Sequence, residues 1–183
     1  VLAATARIRL FPDTPAVQQR RLPSASKLTK RNATIRPRRS FIFSPGLRPE
    51  MFSKALVSGA DIVCVELEDG ISPKDKDAAR ARTMKLFETP QAEDGVERIV
   101  RINCLHDSFG VADARAVLVA DSPPPALMLP KVRTPEEVVM LDDQLTERGH
   151  DTRLHVIIET NQALEAAFEI AHSSPRIDAL FFG

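Results

Sequence analysis

From residue 41 onward the sequence repeats one unit: an apolar run, a break of Gly, Pro or charged residues, then a helical pattern. The runs are FIFSPG (41–46), DIVCVELEDG (61–70), RIVRINC (98–104), ALMLPKV (126–132), LHVIIET (154–160) and IDALFFG (177–183). They are near-continuous rather than alternating, so both faces of each strand are covered. Parallel neighbours need a crossover, most often a helix, so strands of this kind alternating with helices define a parallel α/β sheet. Six strands and five helices are expected. An open doubly wound sheet is complete at six strands, whereas a (β/α)8 TIM barrel needs eight and about 250 residues.

The helical stretches carry their own signals. In RPEMFSKALVSGA, Met51, Ala55 and Leu56 fall at helical spacing. Ser72 is positioned to cap the helix of SPKDKDAARARTMKLF, with Pro73 in its first turn. A third helix is expected near 110–120. Thr134 and Glu137 have capping-box spacing with Pro135 between them, and QALEAAFEIAHS reads as one more helix.

Charge divides the chain. Residues 1–40 hold ten Lys or Arg against the single acid Asp13; of the totals of 25 and 25, this leaves 15 basic and 24 acidic residues in 41–183. Residues 1–39 are therefore read as a basic, disordered arm and 40–183 as the folded domain. The acidic balance of that domain argues against nucleic acid as a partner. No run of about 18 apolar residues exists, so no membrane-spanning helix is expected. Cys64 and Cys104 lie in apolar runs outside any CxxC spacing and are expected as buried, reduced thiols, which suits the cytoplasm. An Arg- and Ser-rich arm poor in acids also resembles an organellar transit peptide, which leaves the mitochondrial matrix as the alternative location.

Polar residues collect where the strands end, and parallel α/β proteins bind ligands beyond the carboxyl ends of their strands. Glu66 and Glu68 share one strand face, with Asp69 at the rim. Glu159 follows the apolar run HVII, a costly place for a carboxylate unless it is paired or bound to a cation. Such hard oxygen donors suit Mg²⁺. Arg101 offers a planar fork for a substrate carboxylate. Lys131 and Arg48 add positive charge at the ends of strands four and one. Each has a plainer reading: structural ion pairs for Glu66 and Glu68, neutralisation of those acids for Arg101, a surface lysine for Lys131, a helix-capping acid for Glu159. His106, His150, His155 and His172 show no ligand spacing and are read as structural or exposed. No GxGxxG, P-loop or GxSxG is present.

RRSFIFSPGLRPEMFSKALVSGADIVCVELEDGISPKDKDAAR, VRIN, LPKV, IIET and RIDALFFG, in this order, resemble the HpcH/HpaI aldolase and citrate lyase beta-subunit family, in its CoA-ester lyase branch. The resemblance implies a TIM barrel, in homo-oligomers (trimers or hexamers). It implies Mg²⁺-dependent cleavage of a citryl-, malyl- or citramalyl-CoA type thioester into an acyl-CoA and a 2-oxo acid. It assigns Arg101 to the substrate carboxylate, Glu159 to Mg²⁺ and substrate, and Glu68 and Asp69 to the metal's water shell. Two departures stand out. Position 66 is Glu where the family commonly has Asp. A second metal-binding Asp is expected just beyond Gly183, together with strands seven and eight. The barrel is therefore expected to be truncated, with apolar edges on strands one and six and weak or no activity. The alternatives are a non-catalytic remnant or assembly subunit and a CoA-independent class II aldolase of hydroxy-oxo acids.

Overall fold

The computed structural model describes residues 38–183, so the expected disorder of the arm lies outside the described residues except for Arg38 and Arg39. Six strands form one parallel sheet: β1 (Phe41–Pro45), β2 (Ile62–Glu66), β3 (Glu97–Arg101), β4 (Ala126–Leu129), β5 (Arg153–Ile158) and β6 (Ile177–Phe182). Helices α1 (Pro49–Leu56), α2 (Lys76–Phe87), α3 (Ser108–Leu118), α4 (Pro135–Glu147), α5 (Asn161–Glu165) and α6 (Ala167–His172) make the crossovers. The strand order is β1-β2-β3-β4-β5-β6, with no reversal. A doubly wound sheet reverses its order at a switch point; an unreversed parallel order is the wall of a barrel. The sheet also curls, because the Phe41 and Phe181 rings of its two edge strands meet edge-on with centroids 5.8 Å apart.

Alternation along the strands gives this wall two apolar faces. Ile62, Cys64, Ile99, Ala126, Met128 and Ile157 form one cluster, with Phe41 and Phe181 packed against it. The intervening residues, among them Val63, Val65, Val100, Leu127, Leu154 and Val156, are buried on the opposite face, on the helix side. β2 and β4 are buried at every position, and their runs are apolar up to Glu66, which closes β2. β1 and β6 are partly exposed as edges, leaving Phe43 45% and Phe182 71% exposed.

Local departures from the sequence reading have physical causes. In α1 the buried residues are Phe52 and Ala55, while Met51 is exposed; Phe52 turns inward against Phe87 of α2, at 6.0 Å between ring centroids. Ser72 makes no side-chain cap. A 3₁₀ turn at Pro73–Asp75 follows it, and α2 starts only at Lys76. The segment read as one helix after β5 is divided into α5 and α6 at Ala166 (φ −101°, ψ 18°). Hydrogen bonds meet at Ala166 from both sides, its N–H donating to Gln162 O at 3.0 Å and its carbonyl accepting from the Ile170 N–H at 2.8 Å. In α4 the expected box is seen in Glu137, whose carboxylate accepts from the Thr134 N–H at 3.2 Å.

Candidate functional site

The carboxyl ends of β2, β3, β4 and β5 bring five of the expected residues together, Glu68, Asp69, Arg101, Lys131 and Glu159, with Glu66 beside them. Glu66 closes β2 and Arg101 closes β3, in register with it. Arg101 Nε donates to Glu66 Oε2 at 2.6 Å, and its NH2 pairs with the same carboxylate. Arg101 NH1 lies 3.3 Å from Glu68 Oε2, and the guanidinium sits 4.5 Å from the centroid of the Phe43 ring. Glu66 thus fills the Nε–NH2 edge of the fork and leaves NH1 with the looser contact. Burial pushes the Glu66 carboxyl above its ordinary value, with Arg101 pulling the other way.

Lys131, two residues beyond β4, has the backbone of a left-handed residue (φ 52°), uncommon for a lysine. That conformation turns its N–H to Glu159 Oε1 at 2.8 Å while Nζ reaches Glu68 Oε1 at 2.6 Å and Asp69 Oδ1 at 3.2 Å. Hydrogen bonding to Glu68 holds the ammonium above its usual range. Lys131 is therefore tied into the acids. Glu159 does not cap α5: Thr160 does, accepting from the Ala163 N–H at 3.0 Å. The Glu159 carboxylate is exposed, and its one hydrogen bond among the described residues comes from the Lys131 backbone. Arg48, at the N-terminus of α1, is exposed and joins none of these side chains through a hydrogen bond or ion pair among the described residues.

The donor set is all hard oxygen, and its carboxylates (Glu66, Glu68, Asp69, Glu159) outnumber the cations, which suits Mg²⁺. Among the described residues Glu159 and Asp69 each keep one carboxylate oxygen without a protein partner, whereas both oxygens of Glu66 and of Glu68 are engaged. Glu68 and Asp69 do not close a three-ligand cluster with Glu159 among the described residues.

Beneath the acids lies a buried polar network that the sequence reading missed. Lys76 Nζ donates to Leu67 O at 2.8 Å, to Glu68 O, and to Asn103 Oδ1 at 2.6 Å. Asn103 Nδ2 donates to Leu67 O (2.9 Å) and Asp113 Oδ2 (2.6 Å), and Arg80 Nε donates to Asp113 Oδ1 at 2.6 Å. The signal in the sequence was the Asn in RIN; Lys76 was hidden within the polar stretch PKDKD. Gly110 belongs to this packing, since a Cβ there would stand 1.9 Å from the Cys104 carbonyl oxygen.

At the opposite end of the strands, Glu97, His155 and Asp178 place potential ligand atoms within 4.8 Å of one another. Their charge is already met: Arg38 Nε lies 2.7 Å from Glu97, Arg38 NH2 lies 2.6 Å from Asp178, and Arg153 lies 3.1 Å from Asp178. His155 Nε2 lies 3.0 Å from Glu97 and is fully buried, a structural histidine as expected. His106 pairs with Glu137 at 2.9 Å, and the ring nitrogens of His150 and His172 lie 3.3 and 2.8 Å from main-chain carbonyls. Cys64 is buried and Cys104 half-buried; both are free, and burial pushes both thiols up.

An unreversed, curled parallel sheet with acids, an arginine and a lysine converging beyond its carboxyl ends defines an enzyme-type (β/α)8 barrel wall, here of six strands. Residues 39–183 match the HpcH/HpaI aldolase/citrate lyase family, and the chain belongs to it. Over 156 residues it is 32% identical to the citrate lyase subunit beta of Escherichia coli, covering 81% of this chain and 50% of that protein. Over 157 residues it is 34% identical to the L-malyl-CoA/beta-methylmalyl-CoA lyase of Cereibacter sphaeroides, covering 81% and 48%. A citrate lyase beta subunit from Mycobacterium tuberculosis, complexed with oxaloacetate and magnesium, matches with TM-score 0.63 and 29% identity over 80% of this chain and 59% of that one. The protein CitE of the same organism, in complex with magnesium, acetoacetate and coenzyme A, matches with TM-score 0.62 and 27% identity over 80% and 50%. The chain spans about half the length of the curated relatives it matches.

Proposed function

We propose that this chain carries the metal- and carboxylate-binding half of a Mg²⁺-dependent lyase that cleaves a 3-hydroxyacyl-CoA thioester, of the citryl-, malyl- or citramalyl-CoA class, into an acyl-CoA and a 2-oxo acid. The observation that carries the reading is Glu159: an exposed carboxylate at a strand end, held by one backbone N–H and otherwise uncommitted among the described residues. The complexes of its structural neighbours with magnesium, oxaloacetate, acetoacetate and coenzyme A support the same chemistry.

In this proposal Glu159 ligates Mg²⁺, with Glu68 and Asp69 accepting from its water shell. Bound there, Mg²⁺ would supply Lewis-acid stabilisation to the substrate hydroxyl oxygen, which becomes the 2-oxo group as it loses its proton. Arg101 binds the substrate carboxylate through its NH1 side, and Glu66 holds the guanidinium in place from the other edge. Fixing the carboxylate orients the scissile carbon–carbon bond. The 3-hydroxyl gives up its proton to a base, its oxygen becomes the 2-oxo group, and the carbon–carbon electron pair leaves with the acyl-CoA fragment as an enolate that is then protonated. Lys131 and Arg48 add positive charge for the anionic substrate. Assembly as a homo-oligomer belongs to the same proposal, and exposed Leu164, Phe168 and Phe182 support it.

The test is calorimetric titration of the 183-residue chain with Mg²⁺ in the presence of oxaloacetate. Binding that is lost in Glu159→Ala is expected. A folded chain that binds no Mg²⁺, or whose binding survives that substitution, sinks the proposed site.

A further inference from the structure

Lysine is rarely buried without a carboxylate partner, because its ammonium must be stripped of water. Lys76 is such a residue. It is 7% exposed, and its three protons are taken by three neutral acceptors: the carbonyls of Leu67 and Glu68 and the side-chain oxygen of Asn103. An apolar side chain would pack at the start of α2 without that desolvation. The acceptors explain the choice. Two of them are consecutive carbonyls in the turn after β2, and the third stands just beyond β3.

We propose that Lys76 is a positioning residue for the strand-end site. Its ammonium fixes the turn that presents Glu68 and Asp69, and ties that turn to the β3 end carrying Arg101. Residue 68 is held at both backbone groups, its N–H donating to Glu66 Oε1 and its carbonyl accepting from Lys76 and from the Ile71 N–H. With the backbone locked, the Glu68 side chain has one place to go, between Arg101 and Lys131. Asn103 transmits the same constraint to β3. It accepts from Lys76 and donates to Leu67 O and to Asp113, which Arg80 of α2 in turn holds. The consequence for metal binding rests on the lyase reading above; the geometric claim does not.

Two measurements separate these. The first is competitive trace acylation with acetic anhydride, read by mass spectrometry as the labelling of Lys131 relative to exposed Lys54, Lys74 and Lys85 in the same molecule. In Lys76→Met the turn loosens, the Glu68 contact with Lys131 is lost, and the Lys131 ratio rises severalfold; amide hydrogen exchange of β4 and β5 as slow as in wild type shows that the fold as a whole has not loosened. Lys76→Arg keeps charge and bulk, so folding is preserved. Its planar fork cannot serve the same three acceptors, and a smaller rise is expected. An unchanged Lys131 ratio in either folded variant overturns the proposal. The second measurement is Mg²⁺ titration with oxaloacetate, where Lys76→Met weakens binding by about 10- to 100-fold, as is usual for a residue that orients a metal site from behind. A wild-type chain that binds no Mg²⁺ sinks the lyase reading alone, and the labelling ratio still decides Lys76. Wild-type binding that Lys76→Met leaves unchanged sinks the positioning role.

Discussion

Glu97 sits where burial alone would raise a carboxyl, yet the His155 imidazole and the Arg38 guanidinium hold it down at about 2 from an ordinary 4.5. A depressed acid contributes stability above its unfolded value and loses it as pH falls toward its folded one. The contribution is full above about pH 4.5 and fades between about pH 4.5 and 2, a window set by the two values of this one group. Glu97→Gln is expected to cost on the order of 2 kcal/mol at neutral pH and to flatten that acid limb, measured by urea denaturation across the pH range. At this scale the sequence was legible in part. Glu68, Asp69, Arg101, Lys131 and Glu159 stand out because charge at the end of an apolar strand needs a reason, and the fold joins all five through hydrogen bonds and ion pairs. Arg48 looked similar and stays apart. Glu97 and Lys76 were illegible, since a charge at the start of a strand or of a helix looks like a solvated rim until tertiary contacts bury it.

Elements were read more fully than residues. All six strands fall on the apolar runs, because a strand covered on both faces admits a polar residue before its end only where a partner meets it, as Glu97 meets His155 and Asp94 meets Arg98. What the runs could not show was strand order, which depends on which neighbour each crossover returns to. Helix details were lost where groups beyond the helix decide them, as Phe87 does for the buried face of α1 and the acceptors of Lys76 on Leu67, Glu68 and Asn103 do for the start of α2. The sharpest element-level constraint is the seat of α3. Its Gly110 has no space for a methyl group, with the Cys104 carbonyl oxygen 1.9 Å from where a Cβ would stand. Gly110→Ala should push α3 away from the end of β3 and cost about 2 kcal/mol or more. A fall in the urea midpoint checks the stability; the accompanying disturbance of Asn103 should reach the strand-end acids. An Ala variant as stable as wild type would mean that α3 shifts freely.

Across the described residues as a whole, the notable feature is how little joins β1 to β6 beyond the Phe41–Phe181 ring contact. The strands are added in chain order, each pairing with the one just made, so most of the sheet is built from neighbours in sequence. Arg38 is an exception: ahead of β1, it reaches Glu97 on β3 and both the side chain and the carbonyl of Asp178 on β6, 140 residues away. Seen as kinetics, this is a clasp that cannot fasten until the sixth strand has been laid down. An interaction made after the rate-limiting step governs escape from the native state, not arrival at it. Arg38→Ala should therefore speed unfolding about tenfold while leaving the refolding rate nearly unchanged, as stopped-flow denaturant jumps would show. A nascent chain would hold five paired strands with this clasp still open, and the grip of Arg38 on Asp178 would begin only when β6 arrives.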